Sequence, residues 1–175
     1  MIMKNKILWL EIIGFVFTVV FSFVFHFMYK WIGTFGWLFP INESVWEHIK
    51  IIFMPYLIYS FIECMIIKPV DRINFLAIKS IALIIMPILM IVLEYTYVGV
   101  IGNNYMALDI IVGILTILAG YVISYRLIII DYKVTHRFIY LSLAFLTFLL
   151  LIFFTYMPPH INLFYDKLLG IYGKP

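Results

Sequence analysis

Long apolar segments constrain the fold of this chain more than any other feature of the sequence. Five of them follow one another with only short polar connections between them. A helix needs about 20 apolar residues to cross the hydrocarbon core of a bilayer. The segments at about 7–29, 45–67, 75–98, 107–129 and 138–156 therefore predict an all-α bundle of five transmembrane helices, forming one integral membrane domain over residues 1–175.

The composition agrees with a bilayer as the main solvent. The chain is 66% hydrophobic and 12% charged, whereas ordinary soluble domains are about 25% charged. A net charge of +3 provides no basic surface of the kind that binds nucleic acid. The single cysteine, Cys64, excludes an intramolecular disulfide and a metal site built from several cysteines.

The distribution of lysine and arginine predicts the orientation of the bundle. Basic residues are in excess on the cytoplasmic side of membrane proteins. With the N-terminus inside, eight basic residues lie inside and four outside, which favours an N-in, C-out topology. The high Ile and Phe content suggests a low-GC bacterium, so we expect the cytoplasmic membrane of a bacterial cell. The inner residues are Lys4, Lys6, Lys68, Arg72, Lys79, Arg126, Lys133 and Arg137, and the outer ones are Lys30, Lys50, Lys167 and Lys174.

Most of the other ionisable residues fall at the outer end of the predicted bundle. Ionisable groups at a membrane boundary are costly unless they are paired or functional. Residues that are far apart in the sequence thus converge at one membrane depth, which predicts a polar pocket there. These residues are His26, Glu43, Glu47, His48, Glu94, Asp109 and His160.

Three helices carry stripes of small and polar residues. Residues three or four apart share one helix face, and such stripes are typical of the packing faces of membrane helices. We therefore expect them to face the bundle interior, with Glu11 and Glu63 paired to a basic residue such as Arg126 near the inner boundary. The stripes are Glu11, Gly14, Thr18, Ser22 and His26; His48, Tyr56, Tyr59 and Glu63; and Asp109, Gly113, Thr116, Gly120 and Ser124.

The segment 39–50 allows both structural and functional interpretations. Asn42 is a good helix N-cap, and Ser44-x-x-Glu47 has the pattern of a capping box, in which the two side chains bond each other's backbone N–H groups. Glu47 and Lys50, three apart, can pair on one helix face. Trp46 suits either the membrane interface or stacking against a ligand. None of these roles explains His48.

The last segment, 157–175, is too short to cross the membrane and mixes polar with apolar residues. Pro158 and Pro159 end the fifth helix, because proline cannot continue it. The tail beyond them is predicted to be amphipathic. It either lies on the surface as an anchor or forms a lid that brings His160 and Asp166 over the mouth of the bundle.

In these two segments the sequence resembles a family of uncharacterised small five-span bacterial membrane proteins, a domain of unknown function. The shared patterns are Asn-Glu-Ser-x-Trp-Glu-His-x-Lys, matched by Asn42 to Lys50, and Pro-Pro-His-x-x-Leu-Phe-x-Asp with Gly-x-Tyr-Gly, matched by Pro158 to Asp166 and Gly170 to Gly173. The resemblance covers the whole chain. The resemblance implies that both segments are part of a structure common to the family, and it implies no activity.

One functional hypothesis is a membrane-embedded hydrolase or binding protein that acts on a lipid-linked or peptide ligand at the outer leaflet. Glu47, His48 and His160, with Glu43, Asp109 or His26, could bind a divalent metal such as zinc, which takes three protein ligands in catalytic sites. Glu43 would then act as general base. Against it, no His-Glu-x-x-His motif is present. The remaining pocket residues in this hypothesis are Asn42, Trp46, Lys50, Glu94, Asp166 and Tyr172.

Two further hypotheses stay open. Polar groups run along spans one and two from Glu11 and Glu63 to His26 and His48, as in proton- or ion-coupled transporters, although the chain shows no repeat of the transporter kind. An accessory or immunity-type membrane protein needs no catalytic residue. The sequence leaves enzymatic activity undecided, and it allows a homo-oligomer embedded among membrane lipids.

Overall fold

The computed structural model describes the backbone of residues 2–174 and the side chains of residues 4–174. This part of the chain forms five α-helices: α1 (Ile2–Ile32), α2 (Val45–Ile67), α3 (Arg72–Ile101), α4 (Met106–Ile129) and α5 (Arg137–Tyr156). All five are long and apolar enough to cross a membrane. The predicted all-α fold with five spans is confirmed.

The helices α1 and α3 extend beyond the predicted apolar cores, because a helix can continue into the polar boundary of the membrane. Their ends follow local chemistry. The Asp71 side chain accepts a hydrogen bond from the Asn74 N–H and caps α3, which ends at Gly102 with φ 79°. Glycine adopts this left-handed conformation without a steric penalty. Lys68, with φ 51°, ends α2 in the same conformation.

Helices α2 and α3 form the centre of the bundle. Helix α2 packs against α1 and α3, and α3 also packs against α4 and α5, while α1 contacts α4. The connections 68–71, 102–105 and 130–136 are short, so consecutive helices run antiparallel. Pro55 and Pro87 lie buried inside α2 and α3, where neighbouring helices compensate for the backbone hydrogen bonds that proline removes.

The outward surface of the bundle is apolar. More than half of the side-chain surface is exposed at Ile13, Val16, Val92 and Phe145, on helices α1, α3 and α5. A soluble protein would not present such continuous apolar surface to water, whereas lipid tails solvate it. The chain is therefore an integral, multi-pass membrane protein.

The tail folds back onto the bundle. After a 3₁₀ turn at Asn162–Phe164, strand β1 (Tyr165–Asp166) pairs antiparallel with strand β2 (Ile171–Tyr172). The Phe164 ring is buried and packs against Trp46 of α2 and Phe154 of α5. We call the end of the bundle that carries residues 33–44, 102–105 and 157–174 the tail end, and the other end the opposite end.

Candidate metal centre

The polar stripes face the interior, as the sequence predicts. Glu11, Gly14, Thr18 and Ser22 of α1 are all buried. The Thr18 hydroxyl bonds the Tyr121 hydroxyl at 2.7 Å, and the Ser22 hydroxyl donates to the Ile51 carbonyl of α2 at 2.7 Å. These bonds fix the rotation of α1, which directs His26 toward α2 at the tail end.

Three side chains converge at this end. The Nε2 atoms of His26 and His48 lie 3.6 and 3.1 Å from the same oxygen, Oε2 of Glu43. His26 belongs to the last turns of α1, Glu43 precedes the N-cap of α2, and His48 lies in the first turn of α2. The two imidazole rings are 5.4 Å apart. Each side chain is about one-fifth exposed, so the cluster is shielded but not sealed.

Glu43 is held in place on both sides. Its second oxygen, Oε1, accepts a hydrogen bond from Lys30 Nζ at 2.7 Å. Its backbone N–H donates to Oδ2 of Asp166 at 2.9 Å. Asp166 is fully buried, and its other oxygen accepts the N–H groups of Leu168 and Leu169. The tail therefore fixes the backbone from which Glu43 reaches the two histidines.

The Glu43 carboxyl is ionised under ordinary conditions. The hydrogen bond with His48 and the bond from Lys30 lower its pKa to about 2, although burial acts in the opposite direction. The carboxylate thus presents a lone pair to the same point as the two imidazole nitrogens. Ionised carboxylate and neutral imidazole are the forms that bind metals.

The geometry fits a metal ion. His26, Glu43 and His48 each offer a ligand atom, and these atoms lie within 4.8 Å of one another. Zinc–ligand bonds of 2.0–2.2 Å in a tetrahedron place the ligand atoms about 3.3–3.6 Å apart, close to the distances of 3.6 and 3.1 Å measured from Glu43 Oε2. These three residues could therefore hold a metal ion. In this arrangement Glu43 would be a ligand, one of the two roles that the sequence allows for it, and its role as general base stays a prediction.

Glu47 is occupied by other partners. Its Oε2 accepts the Lys50 ammonium at 2.7 Å and the Ile41 N–H at 2.9 Å, and its Oε1 accepts the Thr155 hydroxyl at 2.9 Å. Lys50 also donates to the Gly36 carbonyl at 2.8 Å. The pair predicted from the i, i+3 spacing is thus present, and it ties the α1–α2 connection to α5. Glu47 lies outside the three-residue cluster.

The capping box forms only in part. Ser44 is the N-cap of α2 and accepts the Glu47 N–H, but the Glu47 carboxylate turns to Lys50 and does not return to Ser44. The Ser44 N–H bonds Oδ1 of Asn42 instead, at 2.9 Å. Asn42 also donates to the Gly173 carbonyl at 2.7 Å and so links this connection to the tail.

The other predicted site residues lie at the tail end but outside the three-residue cluster. His160 is exposed and stacks on Tyr172, with ring centroids 4.6 Å apart, and it does not belong to the group of His26, Glu43 and His48. Asp109 bonds Tyr97 and Asn104. Glu94 is buried in α3.

A comparison with protein families adds to this geometry. A model described as "Family of unknown function (DUF6512)" matches residues 1–174. The chain belongs to this family. The resemblance to an uncharacterised family is thereby confirmed. Among curated proteins and among solved structures, no match was found.

For this DUF6512 member, the structure separates two roles within the Asn42–Lys50 segment. Asn42, Ser44, Glu47 and Lys50 bond neighbouring backbone and side chains and hold the tail end together. Glu43 and His48 instead meet His26. Trp46 packs between Phe154 and Phe164, so it joins helix α2 to the tail. Its packing partners come from the last part of the chain, which no local pattern could indicate.

Two features of the molecule have no signal in the sequence. The contact between Lys30 and Glu43 depends on the path of the connection between α1 and α2, which has no regular pattern. The interior partner of Glu11 and Glu63 is Lys79, at 2.8 and 2.6 Å, whereas the expected partner, Arg126, is exposed. Lys79 lies two turns inside α3, and no pattern in the neighbouring residues indicates that its side chain is buried.

Proposed function

We propose that this protein binds one divalent metal ion through His26, Glu43 and His48 at the tail end of the bundle, and that this ion is zinc. The observation that carries the proposal is the convergence of two imidazole nitrogens and one carboxylate oxygen on a single point. Two nitrogens and one oxygen form a donor set typical of zinc, and softer metals would favour sulfur ligands.

Three protein ligands favour a catalytic over a structural site. Structural zinc sites are closed by four protein ligands, while catalytic sites keep a position for water or substrate. A bound ion would supply Lewis acidity and a more acidic water. The matching reaction class is hydrolysis, and the position of the site at the membrane boundary favours a lipid-linked or peptide substrate.

Glu94 would move a proton in such a reaction. It lies in the half of α3 nearer the tail end and is 6% exposed. A buried carboxylate at this end of the bundle suits a general base, because it can accept a proton from a water held at the site. In this proposal Glu94 takes the catalytic role that the sequence analysis gave to Glu43.

Zinc affinity tests the proposal. We expect competition with a chelating indicator to show tight binding by the detergent-purified chain, and His26→Ala, His48→Ala and Glu43→Gln each to weaken it by at least about 10-fold, since the loss of even supporting groups costs about 10- to 100-fold. His136→Ala is the matched control, because His136 is exposed at the opposite end. Equal affinity in all four variants would refute the site.

A further inference from the structure

A second charged cluster lies deep in the bundle, away from the metal centre. Lys79 Nζ is 2.8 Å from Oε1 of Glu11 and 2.6 Å from Oε2 of Glu63. All three side chains are at most 4% exposed. Glu11 and His26 are 15 positions apart on α1, which corresponds to about 22 Å at the rise of an α-helix. The cluster is therefore distinct from the proposed metal centre.

The charges in this cluster do not balance. Two carboxylates face one ammonium, so full ionisation would leave a net negative charge in the membrane interior, where uncompensated charge is costly. Within the described residues, Lys79 is the one cation that pairs with Glu11 or Glu63. The charge of Arg72 acts on Cys64, next to Glu63, but Arg72 forms no salt bridge with either carboxylate. The other neighbouring groups are uncharged: Tyr56, Tyr59 and Cys64 on α2, Tyr121 and Ser124 on α4, and apolar Leu141 of α5, which lines a small cavity together with Lys79.

The two carboxyl groups differ in the hydrogen bonds that they accept. Glu11 accepts the Lys79 ammonium through one oxygen and the Ser124 hydroxyl, at 3.0 Å, through the other. The Lys79 ammonium lies 2.6 Å from Oε2 of Glu63 without forming a well-directed hydrogen bond, so neither buried oxygen of Glu63 has a hydrogen-bond partner among the described residues. An ionised oxygen without a donor is strongly disfavoured. The neutral, protonated form therefore suits Glu63 better than Glu11.

A small cavity lies beside the cluster, between α2, α3 and α5. It has a volume of about 50 Å³, and Lys79, Ser60 and Ser80 line it together with apolar residues. A cavity of this size has room for water, which can exchange protons with the Lys79 ammonium. Because this ammonium contacts Glu63, a proton has a route to the Glu63 carboxyl group.

We propose that Glu11, Lys79 and Glu63 form a proton-binding site, in which Glu63 carries one exchangeable proton. When this proton is bound, one carboxylate and one ammonium remain, so the contact between α1, α2 and α3 carries no net charge. Loss of the proton adds a negative charge at the point where these three helices meet, so packing at this depth depends on the proton.

Infrared spectroscopy of the full-length protein in lipid tests this site. A protonated carboxyl group gives a carbonyl stretching band separate from the carboxylate bands. We expect such a band at neutral pH, and we expect Glu63→Gln to remove it while Asp71→Asn, a control in a partly exposed ion pair, leaves it. Because glutamine resembles the protonated acid, the unfolding temperature of Glu63→Gln should stay close to that of the wild type.

A second variant separates charge balance from burial alone. In Glu11→Gln, Lys79 and Glu63 balance each other without a proton, so the band should be lost again. A band that persists in Glu11→Gln or in Glu63→Gln would overturn the proposal. A band that disappears when sodium replaces potassium in the buffer would also overturn it, because the site would then hold a cation.

Discussion

At the scale of single residues, Glu43 and Glu47 show that the role of a side chain depends on residues that are far away in the sequence. Glu43 precedes α2 and Glu47 lies in its first turn, so both residues belong to the same short acidic segment. Glu47 is saturated by Lys50, Ile41 and Thr155, whereas Glu43 keeps one oxygen for the histidines. The sequence predicted a polar cluster in this region, but it could not separate ligand from support, because Thr155 and Asp166 become neighbours only in the folded bundle.

Asp166 allows a test of this support. Asp166→Ala removes the acceptor of the Glu43 N–H and of two tail N–H groups. We expect zinc affinity to fall by about 10- to 100-fold, as for other residues that orient metal ligands. Asp131→Ala, an exposed pair partner of Lys133 at the opposite end, should leave the affinity unchanged. Equal affinity in both variants would contradict a positioning role for the tail.

At the scale of helices, the periodicity of small and polar residues predicted most of the interior faces correctly, although Gly113 of the α4 stripe lies in open space. Gly14, Thr18 and Ser22 on α1, and Thr116 and Gly120 on α4, are at or near the helix contacts. Periodicity works here because any polar group facing lipid is penalised. The periodicity did not identify the partner of Glu11 and Glu63. Their pairing with Lys79 depends on how α3 is rotated against α1 and α2, and the pattern within one helix contains no information about that rotation.

Gly14 tests the α1–α2 contact. A Cβ atom at this position would lie 2.3 Å from Cε1 of Tyr59, whereas one at Gly113 would meet nothing within 4 Å. Gly14→Ala should therefore destabilise the protein by about 1–3 kcal/mol, the usual cost of overpacking. Thermal unfolding in detergent measures the difference, with Gly113→Ala as control. Similar unfolding temperatures for the two variants would argue against this close contact.

The start of α3 should respond to acid. The Asn74 N–H and the charge of Arg137 lower the pKa of Asp71 below its ordinary value of 3.8. For a lowered carboxyl pKa, the stabilisation is complete above the ordinary value and is lost as the pH falls through the lowered one. Asp71→Asn keeps a capping side chain but loses the charge, so its unfolding temperature should fall less on acidification than that of the wild type. An identical fall in both proteins would exclude a contribution from the Asp71–Arg137 pair.

At the scale of the whole molecule, the five-helix architecture follows from the apolar segments, but the orientation in the membrane remains a prediction. The excess of basic residues places the N-terminus, the 68–71 connection and the 130–136 connection in the cytoplasm. The proposed metal centre would then face the outside of the cell, and the proton-binding cluster would lie nearer the cytoplasm.

Cysteine labelling in intact cells measures the orientation. In a Cys64→Ala background, we expect a membrane-impermeant thiol reagent to label Lys174→Cys directly, and Lys133→Cys only after permeabilisation. Both positions are exposed, so the membrane alone controls access. The reverse pattern would show that the tail end faces the cytoplasm.

The metal content of the purified protein tests the central claim most directly. Elemental mass spectrometry should find about one zinc ion per chain in the wild type and in His136→Ala, as one three-ligand site requires. The His26→Ala, His48→Ala double variant should contain none. A wild-type protein that stays metal-free in excess zinc, or a double variant that retains the metal, would contradict the assignment of this site.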